Sequence, residues 1–157
     1  MNHQSFKVPK EVELLQDDTD ALGKVNDSEN WYVTEEWAKK FRSHLKAILP
    51  LAEKGDPVAQ YNVATIYLCG YLYSSEEKAI RAYKTDAIVM SEWFERAARS
   101  GYVVAIDNLI STGVGHEAER LKDIFSKHKA SLEKGIPPSD SWLRDMERLY
   151  DIAYKNS

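Results

Sequence analysis

The sequence predicts an all-α fold: a short helical-repeat, solenoid-like stack of helix–turn–helix units closed by atypical capping helices. Three observations carry this. Apolar residues recur at spacings of three and four along most of the chain. The 7 glycines and 5 prolines in 157 residues are too few for a turn-rich β fold or a disordered chain, and several close a periodic run. One spacing of small residues also occurs twice, at a fixed interval.

The first helix is read over Lys10 to Leu22, with Val12, Leu15 and Leu22 on one side and Gly23 as its stop. Val25 to Asn30 is a polar connector. Thr34 is the expected N-cap of the second helix, and Glu35 and Glu36 suit the dipole of its first turn. Trp37, Phe41, Leu45, Ile48, Leu49 and Ala52 form its apolar stripe; Pro50 should kink it and Gly55 end it. Asp56 then caps a third helix with Pro57 at its first position, where a missing N–H costs nothing. On a wheel Ala59, Val63, Ile66 and Tyr67 share one face, while Tyr61, Asn62, Thr65 and Cys69 fall on another; Gly70 is the stop.

Tyr71 to Ser75 reads as a loop, and Ser74 with Glu77 has capping-box spacing. Glu76 to Ser100 is helical, as one helix or as two with a break near Thr85, and Gly101 closes it. Tyr102 to Ile110 is ambiguous: Val103, Val104 and Ile106 favour a strand by propensity, and the flanks favour a helix. Thr112 to Gly115 is a loop. His116 to Lys134 is helical, with Leu121, Phe125, His128 and Leu132 on one stripe. After Gly135 and Pro137-Pro138, a last helix buries Trp142, Met146, Leu149 and Ala153. The chain, 1–157, is thus read as one domain: an acidic segment (1–33), repeat-like helices (34–135) and a C-terminal capping helix (136–157).

Composition narrows the function by exclusion. Apolar residues make up 43%, enough for a packed core, and the net charge of −4 argues against a general nucleic-acid binder. The single Cys69 excludes an internal disulfide and a thiolate metal cluster within one chain. No signal-peptide pattern and no apolar run of membrane-spanning length are present, so a cytoplasmic location without membrane partners is expected.

The repeated spacing is Ala52-x2-Gly55-x3-Ala59-x3-Val63 and Ala98-x2-Gly101-x3-Ala105-x3-Leu109, 46 residues apart. A small residue and a glycine close one helix, and the next Ala lets the following helix pack close. This resembles the Sel-one-like repeat, a relative of the tetratricopeptide repeat. Its first-helix pattern is matched by Gly55, Ala59, Val63-Ala64, Tyr67 and Gly70. Its second-helix pattern is matched by Asp86, Trp93-Phe94, Ala97-Ala98 and Gly101. Family repeats are shorter, and the excess here falls between Gly70 and Asp86; beyond Leu109 the pattern dissolves, with Gly113 where Tyr is expected. The resemblance implies a protein-binding role without catalysis, with first helices lining a groove, so Tyr61, Asn62 and Thr65 are groove candidates.

Motifs for chemistry are weak. Gly113 to Ala118 imitates a dinucleotide loop, but Glu117 would place an acid against the pyrophosphate. An enzymatic or ligand-binding domain using Gly113, His116 and Glu117 is the alternative, and a strand at Val103 to Ile110 would favour it. The four histidines lack metal-ligand spacing, and Cys69 at a helix C-terminus is poorly placed for a thiolate. No catalytic residue, cofactor or metal is therefore expected.

Two features suggest a partner. Glu11 to Glu36 holds nine acids, including Asp17, Asp18 and Asp20, against the one base Lys24, which suits electrostatic capture of a basic protein. The expanded segment carries Tyr71, Leu72, Tyr73, Arg81 and Tyr83, with residue types enriched at interface hot spots. The expectation is an adaptor, in its sharper form a small immunity protein that neutralises a basic toxin. A homo-oligomeric structural module is a third reading.

Overall fold

The computed structural model describes residues 6–26, 32–74 and 83–112, together with 126, 128–131, 133–134, 140 and 144. The regular elements among them are helices: α1 (Lys10–Val25), α2 (Glu35–Glu53), α3 (Pro57–Cys69), α4 (Tyr83–Arg99) and α5 (Val103–Thr112). Contacts divide the chain into two compact units, Lys7–Met90 and Met1–Phe6 with Ser91–Ser157. Among the described residues, no helix is long and apolar enough to cross a membrane.

In the unit Lys7–Met90, α1, α2 and α3 pack on one another, α2 against α3 most extensively. α2 and α3 begin for local reasons. The Thr34 hydroxyl accepts from the Trp37 N–H at 3.2 Å, and the Asp56 carboxylate accepts from the Ala59 N–H at 3.0 Å, satisfying N–H groups that a helix start leaves unpaired. Pro57 opens α3 as expected. The core takes Val12, Leu15 and Leu22 from α1, Ala38, Phe41, Ile48 and Ala52 from α2, and Val58, Ala59, Val63, Ala64 and Ile66 from α3. Each large side chain removed from water in this way contributes roughly 1.5–3 kcal/mol.

The unit containing Ser91–Ser157 has its own core: Phe94, Ala97 and Ala98 of α4 with Val103, Ala105 and Ile106 of α5. Phe6 meets Tyr102 edge to face there, 5.8 Å between ring centres.

The α2–α3 and α4–α5 corners make the same bonds at the same offset. Gly55 N–H donates to Ala52 and Asp56 N–H to Leu51; 46 residues on, Gly101 N–H donates to Ala98 and Tyr102 N–H to Ala97. Both form the paired bonds of a Schellman ending, with the glycine at φ +105° and +86° respectively. Gly70 ends α3 in the same manner at φ +66°, its N–H bonded to Tyr67 and that of Tyr71 to Ile66. The alanines flanking the two corners, Ala52, Ala59, Ala98 and Ala105, are all buried.

Two expectations change, at Gly23 and Thr112, and the open reading of Tyr102 to Ile110 is decided. Gly23 is not a stop: α1 runs to Val25, and Asn26 ends it by donating both its N–H and its side-chain amide to the Leu22 carbonyl. That amide also exchanges bonds with the Tyr32 backbone, at 2.9 and 3.2 Å, which ties the connector's two ends together. As expected, α2 holds Pro50, which is exposed, inside it and runs to Glu53, just before Gly55. Val103–Thr112 is helix, because the α4–α5 corner turns the β-branched Val103 and Ile106 into the core. Thr112, expected in a loop, is the last residue of that helix. Glu77, the expected capping-box partner of Ser74, lies outside the described residues, as do the 113–117 loop and most of 136–157.

Gly55 and Gly23 make opposite predictions. A Cβ at Gly55 would meet nothing within 4 Å, so Gly55→Ala is opposed by its positive φ alone and should cost about 1–2 kcal/mol. Gly23→Ala, on the exposed side of a helix interior, should stabilise by about 0.5–1 kcal/mol. Urea unfolding of the two variants checks both signs.

Candidate functional site

Of the ten residues singled out in the sequence, nine are described, and they fall in four places. Tyr61, Asn62 and Thr65 lie on α3, which is buried nearly all round: Val58, Ala59, Gln60, Asn62, Val63, Ala64 and Ile66 are all inside. Asn62 is therefore no groove residue. It is 8% exposed and its amide donates to the Val58 carbonyl at 2.8 Å. Tyr61 and Thr65 stay half-exposed, and the Thr65 hydroxyl bonds back to the Tyr61 carbonyl at 3.0 Å. With Leu68, 43% exposed, and half-buried Cys69 they form one stripe at spacings of four, three and one, the outward side of α3.

Gln60 ties the start of α3 to the end of α2 through a 3.0 Å bond from its amide to the Ala52 carbonyl. Its buried carbonyl oxygen has no hydrogen-bond partner, a cost that the packing around it must offset.

The loop after α3 is fastened to α2. Tyr71 is 6% exposed and stacks on Phe41, ring centres 4.5 Å apart and planes 21° from parallel. Leu72 is buried and its carbonyl accepts from the Arg42 guanidinium at 2.7 Å, while that guanidinium also pairs with Glu35. Tyr71, expected at an interface, is thus a core residue. Burial pushes its phenol well above the ordinary value of 10.0, and charge and hydrogen bonding from Cys69 push the same way. Tyr73 is half-buried. Tyr83 opens α4, and Arg81 lies outside the described residues.

Asp17 and Asp20 are exposed on α1, but Asp18 is not available to a partner in the same way. Its carboxylate meets His44 Nε2 of α2 at 2.6 Å, with only 16% of the His44 side chain exposed. Sequence reasoning missed this pair, whose signal was a histidine three residues from Phe41 on the border of the α2 stripe. It also missed Leu68, which the wheel places beside Tyr61 and Thr65. Near the start of α1, Lys7, Val8, Pro9, Lys10, Glu13 and Asp56 line an open cavity of about 430 Å³ with two cations and two carboxylates. Among the described residues no group of three or more His, Cys, Asp or Glu side chains is placed to hold a metal ion.

Comparison of the chain with protein-family models, with curated proteins and with solved structures found no match.

The aspartates separate by role. Asp18→Ala strips a half-buried imidazole of its partner and should lower unfolding free energy by about 1–3 kcal/mol. Asp17→Ala and Asp20→Ala should stay within about 0.5 kcal/mol of the parent in the same urea titration. Tyr71 predicts an alkaline limit. Its folded pKa is raised, so the buried neutral phenol contributes fully below pH 10 or so, where the unfolded chain also keeps its proton. Above that the unfolded state loses the proton first, and stability falls as pH rises. Stability measured from pH 8 to 11 should decline less steeply in Tyr71→Phe.

Proposed function

We propose that the chain is a non-catalytic protein–protein interaction module built from helix–turn–helix units of the Sel-one-like kind. The observation that carries this is the outward stripe of α3. A helix otherwise sunk in the core leaves Tyr61, Thr65 and Leu68 at its one open side. That is where the first helix of such a repeat meets a partner, by the resemblance in the sequence. The matching corners at Gly55 and Gly101 support the repeat reading. Helical Val103–Thr112 removes the strand that a dinucleotide site at Gly113–Glu117 would need, which favours binding over chemistry.

The sharper form of the proposal is a small bacterial immunity protein that neutralises a basic toxin. The exposed Glu13, Asp17 and Asp20 of α1 would speed encounter with such a partner. A tagged chain drawn from its native lysate at low and moderate salt tests the module. A stoichiometric partner, lost from Tyr61→Ala/Leu68→Ala, is expected; if it is basic, toxic and released as salt rises, the immunity form stands. A preparation free of any partner at both salts contradicts the module, and self-association in its place favours the homo-oligomeric reading.

A further inference from the structure

The outward sides of α1 and α2 carry charge in opposite orders. Along α1, Lys10, Glu13, Asp17, Asp20 and Lys24 follow one another at spacings of three and four, so they share one line, and all are exposed. Along α2, Glu36, Lys39, Ser43, Lys46, Pro50 and Glu53 do the same, and all are exposed. The α1 line runs base, three acids, base over roughly 21 Å. The α2 line runs acid, two bases, acid over roughly 25 Å. Among the described residues, none of these charged side chains is engaged in a hydrogen bond or an ion pair.

The helices themselves do not dictate these orders. Lys10 opens α1 and Glu53 closes α2, each at the end where the helix dipole opposes its charge. Nor can the two lines meet within one chain. α1 and α2 already pack on each other, with Val12, Leu15 and Leu22 and with Phe41 and Ile48 in the core, and Asp18 is joined to His44. Yet each line is the complement of the other. With Asp17 laid opposite Ser43, Glu13 and Asp20 lie beside Lys39 and Lys46 whichever way the helices run. One end lysine of α1 then lies beside Glu36 and the other within about a turn of Glu53. Lys40 and Arg42, which flank the α2 line, are already held, over the Trp37 ring and by Glu35 and the Leu72 carbonyl.

We propose that the outer face of α1 docks on the outer face of α2 in a second copy of this chain, with Glu13, Asp17 and Asp20 set against Lys39 and Lys46. A twofold arrangement uses both faces of both copies, so every ion pair is made twice. Exposed ion pairs are individually weak and screened by salt, so the association belongs to low ionic strength. It covers the carboxylates that would steer a basic partner, so such a partner and the second copy compete for α1. This contact is independent of the stripe at Tyr61, Thr65 and Leu68, and the two fail separately. A lysate partner lost from Tyr61→Ala/Leu68→Ala, beside a chain that stays monomeric, would leave the module standing and remove this contact.

The test is sedimentation equilibrium of the full chain from about 0.01 to 1 mM, at about 20 mM and about 500 mM salt. The parent should associate at the lower salt and be monomeric at the higher. Asp17→Lys/Asp20→Lys and Lys39→Glu/Lys46→Glu should each weaken association at least about tenfold, because like charges then face each other. An equimolar mixture of these two variants should associate as the parent does, since every acidic face then meets a basic one. All four positions are exposed, and circular dichroism checks that each variant is folded. If a reversal does not fold, Asp17→Asn/Asp20→Asn and Lys39→Gln/Lys46→Gln should each weaken association at least about threefold. A monomer at low salt overturns the proposal. Association unmoved by either substitution, or a mixture of the two folded reversal variants that stays monomeric, does the same. Association lost from Tyr61→Ala/Leu68→Ala but kept by the α1 and α2 variants would place the self-contact on α3 and also overturn it.

Discussion

Helix α3 sets the terms for the unit Lys7–Met90. Seven of its thirteen residues are buried, and two of those seven are amides, Gln60 and Asn62. A helix buried this completely needs neighbours on several sides. α2 provides most of the contact, α1 completes it, and the loop at Tyr71 and Leu72 folds back over Phe41. Approach that close demands small residues at the corner: Ala52, Ala59 and Ala64 are at most 1% exposed. The Schellman ending at Gly55 permits the sharp reversal that brings α3 against the helix before it.

The same packing determines what is left for contact with other molecules. Because α3 is inside, little of it remains outward beyond the line of Tyr61, Thr65 and Leu68. Polar side chains near these surfaces split into those that hold helices together and those that face water. Asp18 holds α1 to α2 through His44, and Arg42 holds α2 to the loop through the Leu72 carbonyl. Asp17 and Asp20, one and two residues from Asp18, face water. Neighbours in sequence differ in role because successive helix residues point about 100° apart.

Much of this was legible in the residues. Thr34 and Asp56 cap where an oxygen acceptor ahead of an apolar run belongs, and the buried set of α1 is the one its spacing names. The twin corners are visible as a spacing of Ala and Gly. Other features were hidden for physical reasons. A wheel assumes that a helix has one inner face, so it misplaced Asn62 on a helix with several. Gly23 resembles a stop, but only a left-handed conformation makes glycine one, and Asn26 ends the helix by hydrogen bonding. Tyr71 carries the composition of an interface and the environment of a core, a difference made by Phe41, thirty residues earlier. His44 and Asp18 are likewise brought together across helices, at a separation no local pattern records.

The claim on which the rest depends is that α3 is the innermost helix of its unit. Amide hydrogen exchange of the intact chain tests it directly, since groups that open only with the whole unit exchange most slowly. Amides in the middle of α3, from Tyr61 to Tyr67, should exchange more slowly than those of α1 and report the free energy of global unfolding. Exchange of α3 as fast as that of α1 would contradict the account.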